Sequence, residues 1–176
     1  MKLITIFDDK LYAFKFKGEQ TDEFDKAFDL WADNEYLKDF FEENSKDLTS
    51  GFYGIKSTDD AVMMTLDEAY KFQEIISEAA GTNELDKLFK KLDNKEFRHV
   101  DPGKKKAYGK AYKSWLRIYA LQIEKLYLIT GSSIKLTATM TDREHTRNEL
   151  LKIEQCKSFL KENGIWDKQG LKEMEL

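Results

Sequence analysis

The chain has 176 residues, of which 41% are hydrophobic, and this suits one domain with a real core. A single cysteine, Cys156, excludes a disulfide framework and a cysteine-rich zinc site, and it favours a reducing, cytoplasmic compartment. The net charge of −4 is unevenly spread: residues 1–94 carry −10 and residues 95–137 carry +7, which is a cue for an anionic partner. No apolar run approaches the length of a transmembrane helix.

The N-terminal half predicts a β-hairpin followed by helices. Residues 3–7 and 11–16 have strand character and flank a short polar turn. Aromatic residues then recur at spacings of three and four, which predicts amphipathic, acidic helices over residues 22–46. Further along, Thr65 and Glu68 fit a capping box, which would begin another helix at that point.

The strongest strand signal in the chain begins at Trp115. Apolar, β-branched and aromatic residues alternate there, so Leu116, Ile118 and Ala120 are expected on one face and the odd-numbered residues on the other. The segment Gly131-Ser132-Ser133 permits a bulge or a bend. Three strands are therefore predicted, over residues 115–122, 126–130 and 134–137.

The period of the apolar pattern changes twice along the chain. Helical spacing gives way to alternation after residue 114 and returns after residue 142. This predicts an α+β fold with a small antiparallel sheet, helices packed on it, and the N-terminal hairpin as a possible part of the sheet. We expect a single domain over residues 1–176. Residues 1–94 would be an acidic, helical elaboration, and residues 95–164 a basic, strand-rich core with a C-terminal helix.

A basic segment precedes the strands, with tyrosines interleaved among its cations. Two interpretations are open: a solvated loop that carries a run of charge past the turn at Pro102, or a patch that binds nucleic-acid phosphates while tyrosines stack on bases. The candidate nucleic-acid-binding residues are Arg98, His99, Lys104, Lys105, Lys106, Tyr108, Lys110, Tyr112 and Lys113.

Three further residues are candidates for chemistry on a phosphate. Arg117 and Lys135 are cations within apolar strands, where a cation must reach water or meet an anion. If they share a face, they could bracket one phosphate, and His145 in the following helix could transfer a proton. The alternative is that both cations pair with carboxylates of the acidic helices and His145 is merely exposed. No metal-ligand spacing is present, so neither a metal nor another cofactor is predicted.

The order of these features over residues 85–164 resembles the RelE/ParE toxin superfamily, especially its HigB-like branch. The residues that carry the resemblance are Lys106-Ala-Tyr-Gly109, Leu116-Arg-Ile-Tyr119, Leu128-Ile-Thr-Gly131 and Lys135. The resemblance implies a compact core of helices on a small antiparallel sheet. Ribonuclease members of the family cut mRNA on the ribosome and pair with a small antitoxin.

Two functions are therefore expected, and they belong to different classes. The first is a toxin of a toxin–antitoxin module that cleaves RNA without a metal, using Arg117, Lys135 and His145. Its partners would be an antitoxin and RNA or the ribosome, and no membrane. The second is a non-enzymatic protein-interaction or mobile-element accessory protein on a related scaffold. The sequence does not predict an oligomeric state.

Overall fold

The computed structural model describes residues 1–50, 52–54, 57–92, 103–108 and 114–174, and of residues 103–108 it describes the backbone alone. Within these ranges the protein has an α+β fold, as predicted, with helices on both faces of one sheet. The strands are β1 (Lys2–Phe7), β2 (Leu11–Lys15), β3 (Lys90–Lys91), β4 (Gly103–Tyr108), β5 (Leu116–Ile123) and β6 (Leu126–Ile134). The helices are α1 (Glu23–Ala32), α2 (Asn34–Glu43), α3 (Ser45–Thr49), α4 (Thr58–Gly81), α5 (Leu85–Leu88), α6 (Glu144–Glu162) and α7 (Lys168–Met174).

The strand order is β1-β2-β6-β5-β4-β3, so the N-terminal hairpin does belong to the sheet. All neighbours are antiparallel except β2 and β6, which run parallel from Leu11↔Tyr127 to Ala13↔Ile129. The expectation of a wholly antiparallel sheet was wrong at this pair. A tight turn forces strands to run antiparallel, but α1 to α5 separate β2 from β6 and remove that constraint.

Strand β5 is buried on both faces, and its alternation matches the prediction. Leu116, Ile118 and Ala120 pack in one core with residues of α1, α2 and α4. Tyr119 and Leu121 pack in a second core with residues of α6 and α7. The sheet is thus the middle of three layers, and β5 contributes to both of its cores.

The second core also contains the single cysteine. Cys156 is fully buried on α6, and this burial raises the pKa of its thiol. It therefore packs as a small apolar side chain rather than acting as a nucleophile, as expected from its position in the apolar stripe of a helix.

Strand β6 is longer than predicted and contains the expected irregularity. Tyr119 pairs with Gly131 while Ala120 pairs with Ile129, so Thr130 is an extra, bulged residue. The separate strand predicted over residues 134–137 is absent from the described structure. The sheet ends there because β5 begins at Leu116 and offers β6 no strand partner beyond it.

Helix α4 begins seven residues before the predicted capping box. Its start at Thr58 is capped by the Ser57 hydroxyl, which accepts from the Asp60 N–H at 3.1 Å. Thr65 and Glu68 therefore lie inside the helix, and both are buried. None of the helices in the described residues combines the length and the apolarity needed to cross a membrane.

A partly buried ionic cluster joins α6 to α1 and the sheet. Lys152 of α6 lies between Glu23, the first residue of α1, and Glu149, whose carboxylate is 3.3 Å from the Lys152 Nζ. The cluster rests on Gly131 of β6, where a Cβ would overlap the Glu149 carboxylate and lie 2.8 Å from the Lys152 Nζ. Burial raises the pKa of Glu149 to about 7. Glycine at position 131 thus makes room for the side chains of Glu149 and Lys152.

Replacing Gly131 with alanine should lower the free energy of unfolding by about 1–3 kcal/mol, because the new methyl group displaces the Glu149 carboxylate and the Lys152 ammonium. Chemical denaturation measures the change. In a Glu149→Ala background the same replacement should cost much less. Gly81→Ala at the end of α4 has open space around its Cβ and is the control, expected to be neutral or slightly stabilising. An equal cost of Gly131→Ala in both backgrounds would contradict this packing.

The raised pKa of Glu149 predicts a pH dependence of stability. The folded protein holds this proton more tightly than the unfolded chain, whose Glu149 has an ordinary pKa near 4.5. The stabilisation is therefore full below about pH 4.5 and is lost as the pH rises to about 7. Glu149→Gln keeps the shape and removes the titration, so the variant should gain stability relative to wild type across this window. Denaturant titrations at several pH values check this, with the exposed Glu162→Gln on α6 as the control. A constant difference between Glu149→Gln and wild type at all pH values would refute the assignment.

Candidate functional site

The structure brings the three predicted catalytic residues to one end of the β5–β6 pair. Arg117 is the second residue of β5, and Lys135 directly follows β6. The Lys135 N–H donates to the Trp115 carbonyl at 2.8 Å, which extends the pairing by one bond. His145 lies in the first turn of α6, and its Nε2–H donates to the Ile134 carbonyl at 2.9 Å. The three residues thus surround the point where the two strands end.

The polar head of each of these residues also contacts the backbone of its own chain. The Arg117 Nη1 donates to the carbonyls of Ser114 and Leu116, at 2.7 and 2.8 Å. The Lys135 Nζ donates to the Ala138 carbonyl at 2.7 Å. An incoming phosphate would have to exchange with these carbonyls.

Tyr53 joins this end of the sheet from the segment between α3 and α4. Its hydroxyl donates to the Lys135 carbonyl at 2.9 Å, and its ring meets the Trp115 indole edge-on, with 5.2 Å between ring centroids. Burial raises the pKa of the Tyr53 phenol, and the nearby Arg117 guanidinium acts in the opposite direction. Tyr53 thus contacts the Lys135 backbone and lies near the Arg117 guanidinium. The local sequence pattern did not identify Tyr53 as a site residue. The one available signal was the aromatic pair Phe52-Tyr53 between two glycines.

Helix α4 supplies a buried hydroxyl and a buried carboxylate to the same place. The Trp115 Nε1–H donates to the Thr65 hydroxyl at 3.0 Å, and that hydroxyl donates to the Ala61 carbonyl at 2.7 Å. Glu68, one turn on, is 6% exposed, and among the described residues its Oε1 has no hydrogen-bond donor. Thr65 and Glu68 were thus misread as a helix cap, and they line the end of the sheet instead.

Glu68 is the most unusual titratable group at this end of the sheet. Its burial raises the pKa of the carboxyl above the ordinary value of 4.5. The Ser114 hydroxyl and the Arg117 guanidinium oppose this rise without cancelling it. A buried carboxyl with a raised pKa beside an arginine is the kind of group that enzymes use to transfer protons.

The surroundings of His145 are aromatic and acidic. Its ring meets Phe40 of α2 edge-on, with 5.3 Å between ring centroids. The Asp47 carboxylate of α3 is close enough to His145 for an electrostatic interaction between the two side chains. Asp47 is itself held by Arg143, which donates two hydrogen bonds to it at 2.6 and 2.7 Å. This ion pair, with its bidentate geometry, ties α3 to the start of α6 and holds the pKa of Asp47 below its usual range.

Part of the predicted basic patch forms a strand. Residues 103–108 make β4, which pairs with β5 from Gly103↔Gln122 to Tyr108↔Arg117. The loop interpretation was wrong for these residues, because backbone pairing with β5 makes a strand where no apolar alternation predicts one. The candidates Lys104, Lys105, Lys106 and Tyr108 thus have defined register positions. Arg98, His99, Lys110, Tyr112 and Lys113 lie outside the described residues.

The outer edge of the sheet pairs lysine with lysine. Strand β3 consists of Lys90 and Lys91, both exposed, and it pairs antiparallel with β4. Lys90 stands opposite Lys106, and Lys91 stands opposite Lys105. This register places four lysines on two neighbouring strands at the edge of the sheet. Sequence reasoning missed Lys90 and Lys91 because two residues carry too little pattern to predict a strand.

A groove of about 980 Å³ lies at the opposite end of the β5–β6 pair, away from these residues. Its charged lining comprises three acids and three lysines, namely Asp9, Asp86, Glu124, Lys10, Lys125 and Lys168. Lys168 already pairs with Asp9 at 3.2 Å, and Lys10 donates to a backbone carbonyl. The mixture favours neither an anionic nor a cationic ligand, so the end that contains Arg117 is the better candidate site.

No group of three or more His, Cys, Asp or Glu side chains is placed to hold a metal ion within the described ranges. No protein-family model, no curated protein and no solved structure matches the chain. The resemblance to the RelE/ParE superfamily therefore stays a prediction.

Proposed function

We propose that the protein is a RelE/HigB-like toxin of a toxin–antitoxin module, which binds RNA and cleaves it by metal-independent phosphodiester chemistry. The observation that carries the proposal is the placement of cations on three neighbouring strands. The lysine pairs of β3 and β4 stand beside β5, and the Tyr108↔Arg117 register pair connects them to the end of the sheet that holds Lys135 and His145.

The lysine edge supplies the binding step. Contacts to phosphates position a nucleic acid without reading its bases, and they require cations rather than a particular sequence. A phosphate chain along β3 and β4 would pass Lys90 and Lys91 and the register positions of Lys105 and Lys106. Tyr108 at the end of β4 is a stacking candidate for a base.

The end of the sheet supplies the chemistry. An RNA 2′-hydroxyl would lose its proton to a base and attack the adjacent phosphorus, while the 5′-oxygen would leave with a proton from an acid. The products would be a 2′,3′-cyclic phosphate and a 5′-hydroxyl. Arg117 and Lys135 would neutralise the pentavalent phosphate. His145 and Glu68 are the groups whose chemistry suits the two proton transfers.

A second candidate function is a non-enzymatic protein-interaction or mobile-element accessory protein on a related scaffold. The observation that favours it is that Arg117, Lys135 and His145 each donate to a backbone carbonyl of their own chain. Under this alternative the three residues are structural, and they complete the hydrogen bonding where β5 and β6 end.

Replacing Arg117 and Lys135 together by alanine separates the two functions. If the protein is a ribonuclease, the folded double variant should lose growth inhibition and at least about 100-fold in RNA cleavage, because two phosphate-stabilising cations are gone. The melting temperature should change little. Induced expression, with growth and mRNA integrity followed together, makes the measurement. Arg147→Ala is the matched control, because Arg147 also donates to a backbone carbonyl, at 2.9 Å, but lies outside the site.

The second function predicts the opposite pattern. The double variant would melt at a lower temperature than wild type and than Arg147→Ala, and wild type would neither inhibit growth nor cleave RNA. That outcome would refute the ribonuclease proposal.

A further inference from the structure

The solvent face of α4 carries large apolar side chains that no part of the described chain covers. Met63 is 68% exposed, Met64 is 44% exposed and Tyr70 is 67% exposed. Met63 and Tyr70 are seven residues apart, so they lie on the same side of the helix, two turns from each other. The opposite side of α4 is buried in the core through Phe72 and Ile76. This helix thus has a core face and a second, partly apolar face.

Acidic residues surround the apolar side chains. The exposed acids of α4 are Asp59, Asp60, Asp67, Glu74 and Glu78. Its one lysine, Lys71, is paired with Asp67 at 2.6 Å. Helix α2 packs beside α4 and exposes four acids and one lysine, namely Glu35, Asp39, Glu42, Glu43 and Lys38. The exposed face of α4 is therefore apolar at Met63 and Tyr70 and negative around them.

This combination selects among possible occupants. A nucleic acid would be repelled by the acidic rim, and a second copy of the same face would bring like charges together. A basic partner would be attracted, and an amphipathic helix presents an apolar stripe that fits beside another helix. Methionines suit such contacts because their flexible side chains adapt to different shapes.

We propose that Met63, Met64 and Tyr70 form a docking surface for a basic, amphipathic helix of a partner protein. The surface uses none of the residues assigned to RNA binding or cleavage, so it does not depend on the RNA-directed function. Apolar contact with the two methionines and the tyrosine would supply affinity, and the acidic rim would supply orientation and the preference for a basic partner.

A designed peptide tests the proposal. The probe is a 14-residue peptide of leucine and lysine in which the leucines recur at helical spacing, and a peptide of the same composition in scrambled order is its control. Titration calorimetry measures affinity, and amide NMR shifts of the full chain locate the contact. We expect the helical peptide to bind more tightly than the scrambled one and to shift amides along α4.

Two variants locate the binding energy. Met63→Ser combined with Tyr70→Ser should weaken binding by about tenfold, because two apolar contacts are lost. Leu151→Ser is the matched control, since Leu151 is an equally exposed apolar residue on α6 at 62% exposure, and it should bind like wild type. Absence of binding, amide shifts away from α4, equal affinity for the scrambled peptide, or equal weakening by Leu151→Ser would each overturn the proposal.

The outcome is separable from that of the ribonuclease proposal. Met63→Ser combined with Tyr70→Ser should leave any growth inhibition and RNA cleavage of the isolated protein unchanged. Loss of peptide binding with intact RNA cleavage supports both proposals, whereas intact peptide binding in this variant overturns the docking surface alone.

Discussion

The antiparallel pairing of β5 with β6 is the constraint on which the rest of the structure depends. It runs from Leu116↔Ile134 to Ile123↔Leu126, and nearly every residue in it is buried. A strand buried on both faces must satisfy its backbone by pairing on both edges, so β4 flanks β5 while β2 flanks β6. Side chains of opposite parity then fill two separate cores. Polar groups concentrate where this pairing stops, and that end of the sheet contains the candidate site.

Much of the fold could be predicted because alternation and helical spacing are local. The two faces of β5 follow from side-chain direction alone, and so does the change from helix to strand after residue 114. The errors arose where distant contacts decide. Strand β4 is rich in lysine and forms because β5 offers it hydrogen bonds. The pattern over residues 134–137 favours a strand, yet β5 begins only at Leu116 and has no strand residue to pair with them.

The site was predictable only for residues carried by paired strands and the helix that follows them. Arg117, Lys135 and His145 meet because the ends of β5 and β6 lie side by side. Glu68 and Tyr53 come from segments roughly fifty to eighty residues away in sequence, and no local pattern encodes such contacts. A threonine three residues before a glutamate has the same spacing in a helix cap as in a buried polar pair. The structure decides between them because α4 is capped by Ser57 and begins at Thr58, which puts Thr65 and Glu68 inside the helix.

The most direct test of the proposed RNA binding is the salt dependence of the protein's affinity for single-stranded RNA. If three to five lysines of β3 and β4 contact phosphates, the logarithm of the binding constant should fall against the logarithm of salt concentration with a slope of about −2 to −4. Lys90→Glu combined with Lys91→Glu should reduce both the affinity and the slope. Lys38→Glu combined with Lys71→Glu, on the acidic helices, should change neither. Affinity that is indifferent to salt, or unchanged by the Lys90 and Lys91 reversals, would contradict the account.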